Sequence, residues 1–378
     1  MTQSSTEQEI IDYINSDLIE ASLYKEGLET EIVELLNSVF DRWPKHEIQC
    51  KPVDHWRWKY TDNPSGKHII TIAKSYNRII GCNHSTFTQT KLFNKKYLTI
   101  LGADTATHPD YQGKGVYRKI DKLTEKRVES LGVSISYWIT SNPILIEWAF
   151  RHKLMQLPVD LVNMIWINDV DQYLKERESS NQFVKKLGYT LFKIRNQLLT
   201  SNKKPINECT VKTVKSFDSS ADLFWSEIRE RYDFILVRDQ LSLNHRYCDP
   251  RAGKYTVLGI FRGESMLGFC VLGQEKVNGN RVGKILDFLV LPDEPGVGDI
   301  LLQNALNHFI ENKINCVNFW LLKNNWLENI FRGNNFISRS KGIPHLFFEI
   351  YSSILDWNKL QDSNPDRIHF VLGDTDFN

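Results

Sequence analysis

The five residues Gln112-Gly113-Lys114-Gly115-Val116 are the stretch of this chain best suited to chemistry. They follow a β-rich run from Tyr97 to Ala106, which must stop at His108-Pro109 because proline cannot donate to a strand ladder. They precede Val116, Ile120, Leu123, Val128 and Leu131, spaced as one face of a helix, with Gly132 as its C-terminal stop. A glycine turn at a helix start leaves several backbone N–H groups unpaired and pointing one way, at the positive end of the helix dipole. That combination binds phosphate, and glycine lets a pyrophosphate approach without a Cβ clash. The spacing is neither that of a Rossmann G-x-G-x-x-G nor that of a P-loop. A plain strand-to-helix turn uses the same tetrapeptide, so the strand-loop-helix setting carries the expectation.

The elements that must position this loop can be traced on both sides. Ile32, Leu35, Leu36 and Phe40 recur at helical spacing within residues 27–40, ahead of Pro44. His68 to Ala73 and Ile79 to Cys82, joined by Tyr76-Asn77-Arg78, predict a hairpin. Val133 to Thr140 predicts a strand and Ile144 to Leu154 a helix. The result is an α/β (α+β) fold, a twisted mixed sheet flanked by helices. Residues 169–204 are charged, helical in pattern and end at Lys203-Lys204-Pro205, which predicts a connector.

Beyond it the layout returns. His55 to Pro64 has a counterpart in Asn244 to Pro250, Gly81 in Gly268, Asp104 before Pro109 in Asp287 before Pro292, and Gly113 and Gly115 in Gly296 and Gly298. Landmarks repeated in one order predict a tandem duplication, with domains at 1–168 and 205–378 around the helical connector 169–204. At 378 residues the chain suits two domains of roughly 100–200 residues each.

Composition narrows the function classes. Lys plus Arg number 47 and Asp plus Glu 46, so no global field draws the chain to nucleic acid or an anionic membrane, and a phosphate site would be local. The first twenty residues carry Glu7, Glu9, Asp12, Asp17 and Glu20, unlike a secretory signal, and no run of about 18 apolar residues predicts a membrane span. The six cysteines lie apart with no C-x-x-C, which predicts a reduced, cytoplasmic setting. The ten histidines show no H-E-x-x-H spacing, so no metal is expected.

His108-Pro109-Asp110-Tyr111-Gln112-Gly113-Lys114-Gly115-Val116-Tyr117 resembles the acyl-CoA signature of the GNAT superfamily of N-acetyltransferases, written Q/R-x-x-G-x-G/A. Gln112, Gly113 and Gly115 match it, and Tyr117 departs from the last small position. Ser141-Asn142-Pro143 and the helix to Leu154 are similar to the family segment beside the acyl-CoA arm, and Val371 to Asp376 resembles the tail of tandem GNAT proteins. The resemblance implies two tandem GNAT domains, with acetyl-CoA (acyl-CoA) as co-substrate and direct transfer to an amine of a small molecule, an amino sugar being one such amine. No nucleic-acid or membrane partner follows from it. It assigns phosphate contacts to Gln112, Gly113, Lys114, Gly115, Val116 and Tyr117, thioester contacts to the backbone at Ala106 and Thr107, and a flanking contact to Asn142.

The family's acidic tyrosine in the last helix has no match here, where Phe150 and Arg151 stand. Candidates for acid and base are Tyr117, Tyr137, Glu147 and Asp104, with His108. Each has an ordinary structural role as its alternative, and for Asp104 the duplicate Asp287 favours that role. The second loop, Asp293-Glu294-Pro295-Gly296-Val297-Gly298-Asp299, carries acids that repel phosphate and a proline that removes a donor. A second half that binds no acyl-CoA is therefore expected. Trp56, Trp58 and Tyr60 either line an acceptor cleft or pack internally. Competing functions are a non-catalytic acyl-CoA-binding or scaffold module and a FemABX-like aminoacyltransferase, the latter disfavoured by the intact loop and balanced charge.

Overall fold

The computed structural model describes residues 19–169, 172–173, 209–277, 280–294, 296–340, 342–352 and 356–376. The expected helical connector and Pro295 fall outside these residues, apart from positions 169, 172 and 173 of the connector. Two mixed sheets are built from strands β1 (Ile19–Leu23), β2 (Ile69–Ser75), β3 (Arg78–Leu92), β4 (Lys95–Thr107), β5 (Ile135–Thr140), β6 (Leu161–Ile167), β7 (Thr210–Val214), β8 (Phe234–Leu236), β9 (Thr256–Arg262), β10 (Ser265–Val277), β11 (Asn280–Val290), β12 (Cys316–Leu322), β13 (Ile337–Arg339), β14 (His345–Ile350) and β15 (Ile368–His369). The first sheet runs β1-β2-β3-β4-β5-β14, with β8 joined to the far end of β3 and β15 to β8. The second runs β13-β6-β12-β11-β10-β9-β7.

Helices cover both faces of each sheet. In the first half these are α1 (Glu29–Phe40), α2 (Pro52–Tyr60), α3 (Val116–Ser130) and α4 (Pro143–Arg151). In the second they are α5 (Ser219–Ile228), α6 (Val297–Glu311) and α7 (Leu327–Gly333). The buried run Ile69-Ile70-Thr71-Ile72-Ala73 reflects this, because a strand covered on both sides loses its apolar-polar alternation. One face receives Ile32, Leu36, Trp56 and Tyr60, and the other receives Val116 and Ile120. Trp56 to Tyr60 lie on a helix opened by Pro52 at its first turn, so Trp56 and Tyr60 share its core-facing side. Gly81 lets α3 sit close to the sheet, since a Cβ there would meet Val116 Cγ1 at 2.5 Å.

The two halves exchange strands. β6 lies in the second sheet, antiparallel to β12, while β14 from the second half pairs antiparallel with β5, His345 opposite Thr140 and Ile350 opposite Ile135. Each insertion covers an edge that would otherwise present unpaired backbone groups. The chain thus enters the second sheet with β6 and returns to the first with β14, so each sheet is completed by a strand from the other half of the sequence.

The duplication is visible in backbone detail. Asp104 stands at a bulge in β4, where the register against β3 slips between Cys82 and His84, and Asp287 stands at a matching slip between β10 and β11. Helices α3 and α6 each start after a left-handed glycine, Gly115 at φ 74° and Gly296 at φ 78°. This corrects the matching of Gly113 and Gly115 to Gly296 and Gly298. Gly115 corresponds to Gly296, and Gly298 lies inside the first turn of α6, where an added Cβ would meet Ile330 Cδ1 at 2.6 Å.

Candidate active site

β4 and β5 are parallel partners only over Thr99 to Leu101 and Ile135 to Tyr137. Past that point they part, and β4 continues through Gly102 to Thr107 without β5 beside it. Ala106 and Thr107 therefore lie on the splayed length of β4, opposite Cys82 and Gly81 of β3. Asn142 caps α4 on the other arm, its Oδ1 accepting from the Ile144 N–H at 2.9 Å.

After β4 the chain makes a short helical turn, Pro109–Tyr111, capped by His108. The Gln112 N–H donates to the Pro109 carbonyl at 3.2 Å and the Lys114 N–H to the Tyr111 carbonyl at 3.4 Å. Those two donors are used by the loop itself. The N–H groups of Gly113, Gly115, Val116 and Tyr117 make no hydrogen bond among the described residues. Gly113 (φ 76°) and Gly115 (φ 74°) are both left-handed, and no atom lies within 4 Å of where their Cβ atoms would stand. Left-handed glycines that aim free donors into open space at a helix start form an anion cradle.

The titratable candidates are scattered. His108 accepts from the Asp110 N–H through Nδ1 at 3.3 Å and meets Arg78 through Nε2 at 3.0 Å, so it caps the loop. Tyr117 is half exposed on α3, and burial together with Asp121 raises its hydroxyl pKa. Glu147 lies on the outer face of α4, 2.5 Å from Arg151 in an exposed pair. Tyr137 is buried on β5 and donates to the Asp374 carbonyl at 2.6 Å. Asp104 receives Lys59 Nζ at 2.8 Å and the Tyr60 hydroxyl. Burial pushes the Asp104 carboxyl up, but Lys59 and Tyr60 outweigh it and hold it at about 2. A carboxylate so held is a weak proton acceptor at neutral pH.

Sequence reasoning missed the C-terminal segment as part of a site. Leu372–Asp374 turns against β11 and β12 of the second half, beyond the point where these strands pair. Gly373 fits there because a Cβ would run into the Tyr247 hydroxyl and the Leu286 carbonyl. Arg238 fixes the segment, with Nη2 2.8 Å from Asp374 and Nε 2.9 Å from Asp287, both within the protein. Burial opposes the charge on Arg238, and the two carboxylates raise its pKa above its usual value. In the second loop the acids are held by cations and one donor is used locally: Arg262 grips Glu294 at 2.8 and 2.7 Å, Arg231 pairs with Asp293, and the Val297 N–H donates to the Glu294 carbonyl at 3.3 Å.

The same segment then enters a cavity of 210 Å³ between the halves. Leu101 and Tyr137, the last paired residues before the splay, lie in its wall, so the cavity reaches the apex of the opening in the first sheet. Lys59, Arg246, Asp374 and Asp376 also line it. Trp58 lies at its edge and donates to the His245 carbonyl at 2.8 Å, whereas Trp56 and Tyr60 are internal. Tyr60 stacks on His84, their ring centroids 4.4 Å apart. The duplicated Tyr60–Asp104 and Tyr247–Asp287 pairs were the available signal for this region. Nothing in the spacing tied Lys59 to a residue more than 300 positions away.

Two mixed sheets in one chain, each with a helix that starts after a left-handed glycine and the first splayed beside an open cradle, define the GNAT fold in tandem. No family model matches the sequence, and no curated protein matches it. Solved structures do. A conserved protein of unknown function from Enterococcus faecalis, described as a probable N-acyltransferase, superposes with a TM-score of 0.60 at 11% identity, over 88% of this chain and 72% of that one. A GCN5-related N-acetyltransferase from Anabaena variabilis gives 0.57 at 10% identity, over 88% and 73%. Saccharomyces cerevisiae N-myristoyltransferase, solved with bound myristoyl-CoA, gives 0.55 at 10% identity, over 88% and 82%. The chain has the fold of these acyltransferases over most of its length. Among the described residues no cluster suited to a metal ion occurs, and no helix is long and apolar enough to cross a membrane.

Proposed function

We propose that this protein is an N-acyltransferase that moves an acetyl group from acetyl-CoA directly to the amine of a small metabolite. The observation that carries the reading is the alignment of three features on one path: the cradle at Gly113 to Tyr117, the β4–β5 splay, and the cavity at its apex. The cradle suits a pyrophosphate. The splay gives an extended thioester arm room between the strands, with backbone at Ala106 and Thr107 to meet the carbonyl oxygen as it gains charge. The cavity brings an acceptor to the same place from between the halves. Its volume suits a metabolite about the size of a monosaccharide. Asn63, Ser65, Thr86, Thr88, Gln89 and Ser242 in its wall offer hydrogen-bonding groups to a hydroxyl-bearing acceptor such as an amino sugar.

Direct transfer needs no cysteine nucleophile, and Cys82, Cys270 and Cys316 are buried away from the cavity. The test is thermal unfolding with and without acetyl-CoA. A ligand at about 100 times its dissociation constant stabilises by roughly 2.7 kcal/mol, a shift of several degrees. No shift would remove the cofactor and the reaction with it. A shift without thiol release on any amine would leave a binding module.

A further inference from the structure

Asp376 sits where the cavity meets the first sheet, at the end of the segment anchored by Arg238. Its Oδ1 lies 2.5 Å from Lys59 Nζ, and Lys59 Nζ lies 2.8 Å from Asp104 Oδ2. Asp376 Oδ2 makes no hydrogen bond among the described residues, and a quarter of the side chain remains accessible. Two carboxylates thus share one ammonium, which leaves one negative charge uncompensated. The neighbouring cluster is already balanced, because Arg238 and Arg246 face Asp287 and Asp374. The surplus charge is at Asp376, on the open side of Lys59, facing the cavity.

From this arrangement we infer that Asp376 receives the acceptor as its ammonium and takes a proton from it. The inference rests on the proposed acyl transfer. The acceptor R–NH3+ gives one proton to the Asp376 carboxylate and becomes R–NH2. The nitrogen lone pair attacks the thioester carbon, the C–N bond forms and the C–S bond breaks. The remaining excess proton on nitrogen goes to the departing thiolate, and protonated Asp376 returns its proton to solvent. Lys59 is a positioning residue that holds the carboxylate toward the cavity.

The surroundings favour this use of Asp376 over Asp104. Burial raises the Asp376 pKa, Lys59 opposes the rise, Asp104 adds to it and Arg246 opposes it, giving about 6. Tyr60, Tyr137 and Tyr255 also face it, and their hydroxyls stay protonated. A base of that strength is ionised at neutral pH and still binds a proton usefully, which a carboxylate held near 2 does not.

The test uses the full chain and two pairs of probes, ethanolamine against ethylene glycol and D-glucosamine against D-glucose. The wild-type protein should be stabilised more by an amine than by its alcohol partner, and Asp376→Asn should erase that difference while keeping the acetyl-CoA shift. With acetyl-CoA present, thiol release to the better amine should fall by about 10²–10⁴-fold in Asp376→Asn. The acidic limb of the rate profile, expected near pH 6, should vanish. Asparagine mimics the protonated side chain that burial already favours, so the variant should fold. Equal stabilisation by amine and alcohol in the wild type, or an unchanged acidic limb in the variant, would overturn the inference. An absent acetyl-CoA shift in the wild type would instead overturn the proposed reaction, which separates the two failures.

Discussion

The hydroxyl of Tyr247 lies 3.1 Å from Oδ2 of the buried Asp287, at the bulge in β11. The first half repeats this with the Tyr60 hydroxyl on Asp104 at the bulge in β4. The cation differs: Lys59 in the first half comes with an accessible carboxylate, and Arg238 in the second is enclosed by two buried ones. One ancestral arrangement is therefore open onto the cavity in the first half and sealed in the second. Tyr247→Phe and Tyr60→Phe should each lower stability by about 1.5–3 kcal/mol, the worth of one hydrogen bond to a charged acceptor that keeps its cation, Arg238 or Lys59. Paired thermal melts would show this, and no loss in either variant would mean that the hydroxyls are incidental.

Arg238 carries the larger structural burden. Arg238→Met removes the cation from two carboxylates that have almost no solvent access, a change of about 3–5 kcal/mol. Arg238→Lys should recover little, because a point-like ammonium cannot replace the three separate donors that Nε, Nη1 and Nη2 aim at Asp287, the Leu236 carbonyl and Asp374. Chemical denaturation of the three proteins measures the difference.

Stability against pH has two opposing parts. Asp104 and Asp287 are held at about 2, below the usual 3.8, so the stability they contribute is present above about pH 4 and lost as pH falls toward 2. Asp376 is raised to about 6, so the folded state binds its proton more tightly, and stability from this group rises as pH falls from about 6 to 4. Melting temperature should therefore pass through a maximum on the acid side of neutrality. In Asp376→Asn the rise between pH 6 and 4 should flatten while the loss below pH 4 remains.

The cradle makes a prediction about position. Gly115→Glu should abolish the acetyl-CoA shift, since it places a carboxylate among the free N–H groups, at a backbone cost of about 1–2 kcal/mol for the left-handed conformation. Gly298→Ala should lower stability, because its Cβ collides with Ile330 inside α6, yet leave the acetyl-CoA shift intact. Loss of the shift in the second variant would contradict a single cradle in the first half.

Much of the framework was legible along the chain. The glycines and Pro109 bracket a turn whose conformation only glycine adopts readily, and apolar periodicity marks α1 and α3. The doubling of Asp104 as Asp287 was readable as a sign of shared structure, and both side chains do sit in buried hydrogen-bonded clusters. The two-residue shift that matches Gly115 to Gly296 was not readable, because both loops offer G-x-G and only φ distinguishes the helix cap from the helix interior.

The sequence by itself determined the local choices: where strands end, where a left-handed turn is allowed, which helix faces are apolar, and that the plan occurs twice. These follow from backbone sterics and periodicity, which act over a few residues. Tertiary structure alone decided that β6 and β14 change places, and that the segment after Val371 passes the second half to put Asp376 2.5 Å from Lys59. Such pairings depend on sheet edges needing partners and buried charges needing counter-ions. Those requirements arise only once distant parts of the chain have left water together.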